Sequence, residues 1–185
     1  MIVVVSGLPR SGTSMLMQAL QAGGMPVFCD ELRPADEHNP RGYLEYHKIP
    51  RLAADNSWLG EAEGKAIKVV SQLLYHLPPT FEYRVIFMRR ELAEVLHSQD
   101  RMLASRQSPG GPAHEAMRTH FARHLEKLDV WLAGQSHMRV MPCPHREMVS
   151  DPLRLSAEIA AFLEIPLDTN RMAAIVDPAL YRQRV

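Results

Sequence analysis

Cysteine is almost missing from this chain: Cys29 and Cys143 are the two present in 185 residues. That excludes a disulfide framework, and their wide separation gives no metal-ligand spacing, so both read as free thiols of a reducing compartment. Net charge is missing as well, with 21 basic side chains against 21 acidic ones. No overall field draws the chain to nucleic acid, and any positive site has to be local. Long apolar runs are absent too. The run Ile2 to Val5 is too short for a signal core or a bilayer span, and no basic leader precedes it. Repeats and low-complexity segments are lacking, and the histidines show no ligand spacing. These absences point to one soluble domain over residues 1–185, cytoplasmic, with no membrane or nucleic-acid partner and no metal site.

What is there alternates between strand and helix. Ile2 to Val5 is a β-branched run closed by a Gly/Pro/Ser cluster, the pattern of a strand buried on both faces of a parallel sheet. Thr13 to Ala22 follows, with Met15, Leu16, Ala19 and Leu20 at helical spacing and Gly23-Gly24 as the stop. Residues 25–45, rich in proline and charge, read as an irregular excursion. Later strands are expected at Ala66–Val70, Arg84–Met88 and Met138–Met141. Helices are expected at Ile49–Asn56, Glu91–Leu103, Glu115–Ala133, Pro152–Leu163 and Asn170–Val176, and a loop at Ser105–Pro112. The alternation predicts an α/β, P-loop-type three-layer fold with a mostly parallel, doubly wound central sheet flanked by helices.

The chemistry concentrates between the first strand and helix. GLPRSGTS places Gly7 and Gly12 around a tight turn at a helix start, where free amides can surround phosphate oxygens. A kinase loop needs lysine after the second glycine and an aspartate at another strand end for magnesium. Here Thr13 takes the lysine position, the cation is Arg10 inside the loop, and the later strands run into Ser71, Arg89-Arg90 and Pro142. Two parts of a metal-dependent phosphoryl-transfer machine are missing.

At these residues the chain resembles the sulfotransferases that use 3′-phosphoadenosine 5′-phosphosulfate (PAPS). The resemblance implies that Gly7, Arg10, Ser11, Gly12, Thr13 and Ser14 bind the 5′-phosphosulfate. It implies further that Arg90 and Ser98, eight residues apart at the end of the strand VIFMR and in the next helix, bind the 3′-phosphate. Arg89, by strand alternation, aims elsewhere. NPRGYLE (Asn39–Glu45) and the segment Arg146–Ile165 also look like bacterial members. Lys68 matches a strand lysine that contacts the sulfuryl group, with Lys65 as a second match. The family's histidine after that lysine is replaced by Val69-Val70, and its C-terminal Arg-Lys-Gly motif is absent. Glu45 and His47 are the replacement candidates for a base, and the tail arginines Arg182 and Arg184 could reach an anion.

The expected activity is therefore transfer of a sulfuryl group from PAPS, without metal, to a hydroxyl or amine of a small-molecule, carbohydrate or peptide acceptor. Arg10 and Lys68 would stabilise the developing charge. Two alternatives stay open: a nucleotide or small-molecule kinase in which Arg10 replaces the loop lysine, and an inactive nucleotide-binding protein on the same scaffold.

Overall fold

The computed structural model describes residues 1–30, 32–33, 35–36, 39, 42–105 and 114–177. Residues 106–112 of the expected loop, Pro34, Pro40 and Arg41 of the excursion, and Arg182 and Arg184 lie outside them. Four strands, β1 (Ile2–Gly7), β2 (Ala66–Val70), β3 (Tyr83–Arg89) and β4 (Met138–Pro144), form a parallel sheet in the order β2-β1-β3-β4. The helices are α1 (Thr13–Ala22), α2 (Leu92–Ser105), α3 (His114–Ala133), α4 (His145–Ser150), α5 (Pro152–Leu163) and α6 (Thr169–Ile175).

Alternation along the strands divides the core into two layers. Ile2, Val4, Ile67, Val69, Val85 and Phe87 face one side, where Leu128 and Leu132 of α3 cover them together with Trp58 and Leu59. Val3, Val5, Ile86 and Met88 face the other side, against Leu16 and Leu20 of α1, Ile159 of α5 and Met172 of α6. Every residue of β1 is buried, as expected of a central strand with helices on both faces. From β1 the chain passes to β2 on one flank and then to β3 on the other. The order in which the chain adds strands therefore reverses between β1 and β3, and a crevice opens outside their carboxyl ends.

Two expectations are corrected. Ile49–Asn56 is not an α-helix: only Ile49–Arg51 forms a short 3-10 turn, with Pro50 at its start. The Asp55 carboxylate then accepts from the Ser57 amide (3.1 Å) and hydroxyl (2.6 Å), a side-chain competition that ends helical continuation. A second 3-10 turn covers Ser57–Ala62. The last strand does not stop at Met141 but runs to Pro144. It is an edge strand, where a proline's missing amide need not interrupt a ladder. Its Cys143 is a buried free thiol, pushed up to about 12 by burial and by the nearby carboxylates of Glu147 and Glu158.

Leu128 is fully buried and fixes α3 to the sheet. Leu128→Ala is expected to cost about 2–5 kcal/mol, read as a lower urea midpoint at unchanged slope. A loss below about 1 kcal/mol would show that α3 does not depend on this contact.

Candidate functional site

The turn from β1 into α1 is built with very little side-chain volume. Gly7 and Gly12 have φ of 153° and 103°, and Arg10, with φ of 68°, is also left-handed. A Cβ on Gly7 would lie 2.5 Å from Ser11 Oγ and 2.9 Å from the Met88 carbonyl oxygen, while one on Gly12 would lie 2.7 Å from the His145 ring. Both positions thus need glycine for space as well as for conformation. Gly12 is the N-cap of α1, and no side chain among the described residues caps that helix. Its first-turn amides, from Thr13 and Ser14 onward, have no intrahelical acceptor. Ser11 Oγ is buried without a hydrogen-bond partner among the described residues. Unfilled donors at a helix start next to a cation fit a phosphate or sulfate group.

The residues after β3 close on this turn. Arg10 Nε donates to Ser98 Oγ on α2 (3.0 Å), and Arg90 Nη1 donates to the Arg10 carbonyl (3.0 Å). Arg90 Nε also pairs with the buried Glu94 carboxylate (2.9 Å). Burial holds the Arg10 guanidinium below its ordinary value; Tyr43 and Asp36 oppose that shift, and the cations Arg90 and Arg33 add to it. Arg89 turns to Asp129 on α3, as alternation along β3 predicts.

On the other flank, Lys68 of β2 is 7% exposed and donates to Ser14 Oγ (2.8 Å), the Tyr43 carbonyl (3.1 Å) and Glu45 Oε1 (2.8 Å). Burial lowers the ammonium's pKa and Glu45 opposes that shift only in part. Burial alone would raise Glu45, but Lys68 and Arg33 outweigh it and hold the carboxyl below its ordinary value. Arg33 takes the second Glu45 oxygen (2.8 Å) and stacks on the Tyr43 ring, whose hydroxyl donates to Asp36 (2.8 Å). A buried charge of this kind persists because it is paired.

Arg10, Ser11, Ser14, Glu45, Lys68, Arg90 and Ser98 are thus drawn around one turn from four separate stretches of sequence. His47 is not: its Nδ1 sits 2.9 Å from Asp30, half-exposed and outside this hydrogen-bonded cluster. Sequence reasoning missed His145, which directly follows β4 and packs on Gly12. Strand periodicity carried past Pro142 would have put it at a strand's carboxyl end. It also missed His124 Nε2, 2.9 Å from Ser71 Oγ, because nothing in sequence links residues 53 apart. Among the described residues no three His, Cys, Asp or Glu side chains converge to hold a metal ion, and no helix is long and apolar enough to cross a membrane.

The fold is the P-loop-like α/β fold of sulfotransferase domains. The chain superposes on the sulfotransferase domain of the Synechococcus PCC 7002 olefin synthase with a TM-score of 0.61 and 17% identity, covering 100% of this chain and 88% of that one. It superposes on the sulfotransferase domain of the curacin biosynthetic pathway with a TM-score of 0.60 and 13% identity, covering 100% and 91%. Sulfotransferase STF1 from Mycobacterium tuberculosis H37Rv gives a TM-score of 0.56 at 15% identity, covering 94% and 70%. At such identities the likeness is one of fold. No family model and no curated protein matches the sequence.

His145 gives this site a pH dependence. It is 6% exposed, and its pKa is lowered to about 4, first by burial and then by Arg90, with Glu94 opposing. The unfolded chain therefore takes up this proton near 6.5 and the folded chain only near 4. Stability from the neutral ring is complete above about 6.5 and is lost as pH falls towards 4, by about 3 kcal/mol at most. Urea unfolding from pH 7 to pH 4 should show His145→Gln less stable at pH 7 and the gap shrinking as pH falls. Parallel profiles would mean that another group titrates there.

Proposed function

We propose that the protein is a sulfotransferase that transfers a sulfuryl group from PAPS to a hydroxyl or amine. One observation carries this reading. Of the four cations around the turn, Arg33 and Lys68 are paired with Glu45 and Arg90 with Glu94, whereas Arg10 has no carboxylate partner among the described residues. Its guanidinium is held by a serine hydroxyl 88 residues away, and Asp36 acts on it without forming an ion pair, so its charge is placed but has no direct counter-ion among the described residues. That is the electrostatic complement of an anion seated on the amides of Thr13 and Ser14.

In this reading the turn and Arg10 hold the donor's 5′-phosphosulfate, and Arg90 with Ser98 meets its 3′-phosphate. The donor supplies the reactive sulfuryl group. Fixed dipoles and Arg10 stabilise charge that develops on the leaving phosphate without needing to reorganise. Lys68 steadies the loop through Ser14 and keeps Glu45 ionised. Glu45 as proton acceptor must free an oxygen from Lys68 or Arg33, since each holds one. That double engagement, with Val70 ending β2, supports the second reading of a nucleotide-binding protein without transfer activity.

Arg90→Ala removes one charge-assisted contact, about 1.5–3 kcal/mol, and should weaken 3′-phosphoadenosine 5′-phosphate about tenfold to a hundredfold by calorimetry. Affinity for 5′-AMP should stay near that of the wild type. Equal losses for both nucleotides would remove Arg90 from the 3′-phosphate.

A further inference from the structure

Beyond the donor turn, a surface cleft of about 650 Å³ runs along one face of α3, lined by Glu115, Thr119, His120, Arg123, His124 and Lys127. Spacings of three and four residues put these side chains on a single helical face. Arg123 and Lys127 are four apart, an unfavourable like-charge pair in isolation. Neither forms an ion pair among the described residues, as is also true of Arg51, Lys65, Arg101 and Arg118; what sets Arg123 and Lys127 apart is that they adjoin each other in one cleft. In a chain without net charge, two adjacent cations without ion pairs, with Glu115 the one carboxylate of the lining, make a locally positive stretch.

Its position ties the cleft to the strand ends. His124 lines the cleft and sits 2.9 Å from Ser71 Oγ, and Ser71 is the residue after β2. The last β2 residue, Val70, is registered against Gly7, which opens the anion-binding turn. One end of the cleft is thereby fastened to the side of the sheet's carboxyl edge that borders the donor turn.

We infer that the α3 cleft seats the anionic part of the acceptor, a phosphate or carboxylate held by Arg123 and Lys127, while the acceptor's hydroxyl extends towards the strand ends. The acceptor role rests on the sulfotransferase reading; the anion seat rests on the cleft alone. The test follows backbone amide NMR shifts during titration with glycerol 3-phosphate, glycerate and glycerol, with 3′-phosphoadenosine 5′-phosphate absent and then saturating. Saturable shifts at residues 119–127 are expected with the anions and not with glycerol, the stronger of the two anions identifying the group. Arg123→Ala/Lys127→Ala should weaken binding about tenfold or more, and Arg10→Ala should leave it unchanged. Persistence of binding when the nucleotide saturates its own site is required. The inference is overturned by absent shifts on α3, by shifts undiminished in the double variant, or by displacement of the ligand by the nucleotide. A short single-stranded oligonucleotide binding α3 more tightly than glycerol 3-phosphate also overturns it, in favour of a nucleic-acid surface. Failure of the nucleotide itself to bind sinks the donor reading and leaves the α3 result separately legible.

Discussion

Everything at the carboxyl edge of the sheet depends on how closely the β1–α1 turn is approached by its neighbours. Met88 of β3 presses on Gly7 and Gly12, and His145 packs on Gly12, so the backbone of the turn is held without side chains in between. The turn's location follows from strand order, since β1 is central and the order of strand addition switches beside it. Its donors remain open because α1 has no capping side chain among the described residues. Packing, topology and helix geometry thus act on the same few atoms.

Around that turn the charges are arranged as partners with one left over. Glu45 serves both Lys68 and Arg33, and Glu94 serves Arg90, at positions where lone charges would be poorly solvated. Arg10 is partly buried and lacks such a partner among the described residues. In the proposed reading, an incoming anion would meet Arg10 without first displacing a carboxylate from it.

Much of this was legible in sequence because the relevant patterns are local. The β-branched run before GLPRSGTS, the helical spacing to Ala22 and the stop at Gly23-Gly24 together placed β1, the turn and α1. Arg90 and Ser98 were singled out by the family resemblance, and in the structure their link runs through Arg10 and not directly to each other. What was not legible depended on tertiary position. Pro142 reads as an end to β4 until the strand is known to be an edge, and with that end misplaced, His145 is not seen as a strand-end residue. The apolar spacing of Ile49–Asn56 suggested a helix that Pro50 and the Asp55 side chain prevent. His47 lay next to the right segment but is drawn away by Asp30.

The central claim is that the turn and the residues closing on it bind a 3′-phosphorylated adenine nucleotide without metal. Calorimetry on the wild-type protein with 3′-phosphoadenosine 5′-phosphate in the presence of a chelator, set against ATP with magnesium, tests it most directly. The account predicts saturable binding of the first that is unaffected by chelation and tighter than that of the second. Preferential binding of magnesium–ATP, abolished by the chelator, would contradict it and favour the alternative of a variant-loop kinase.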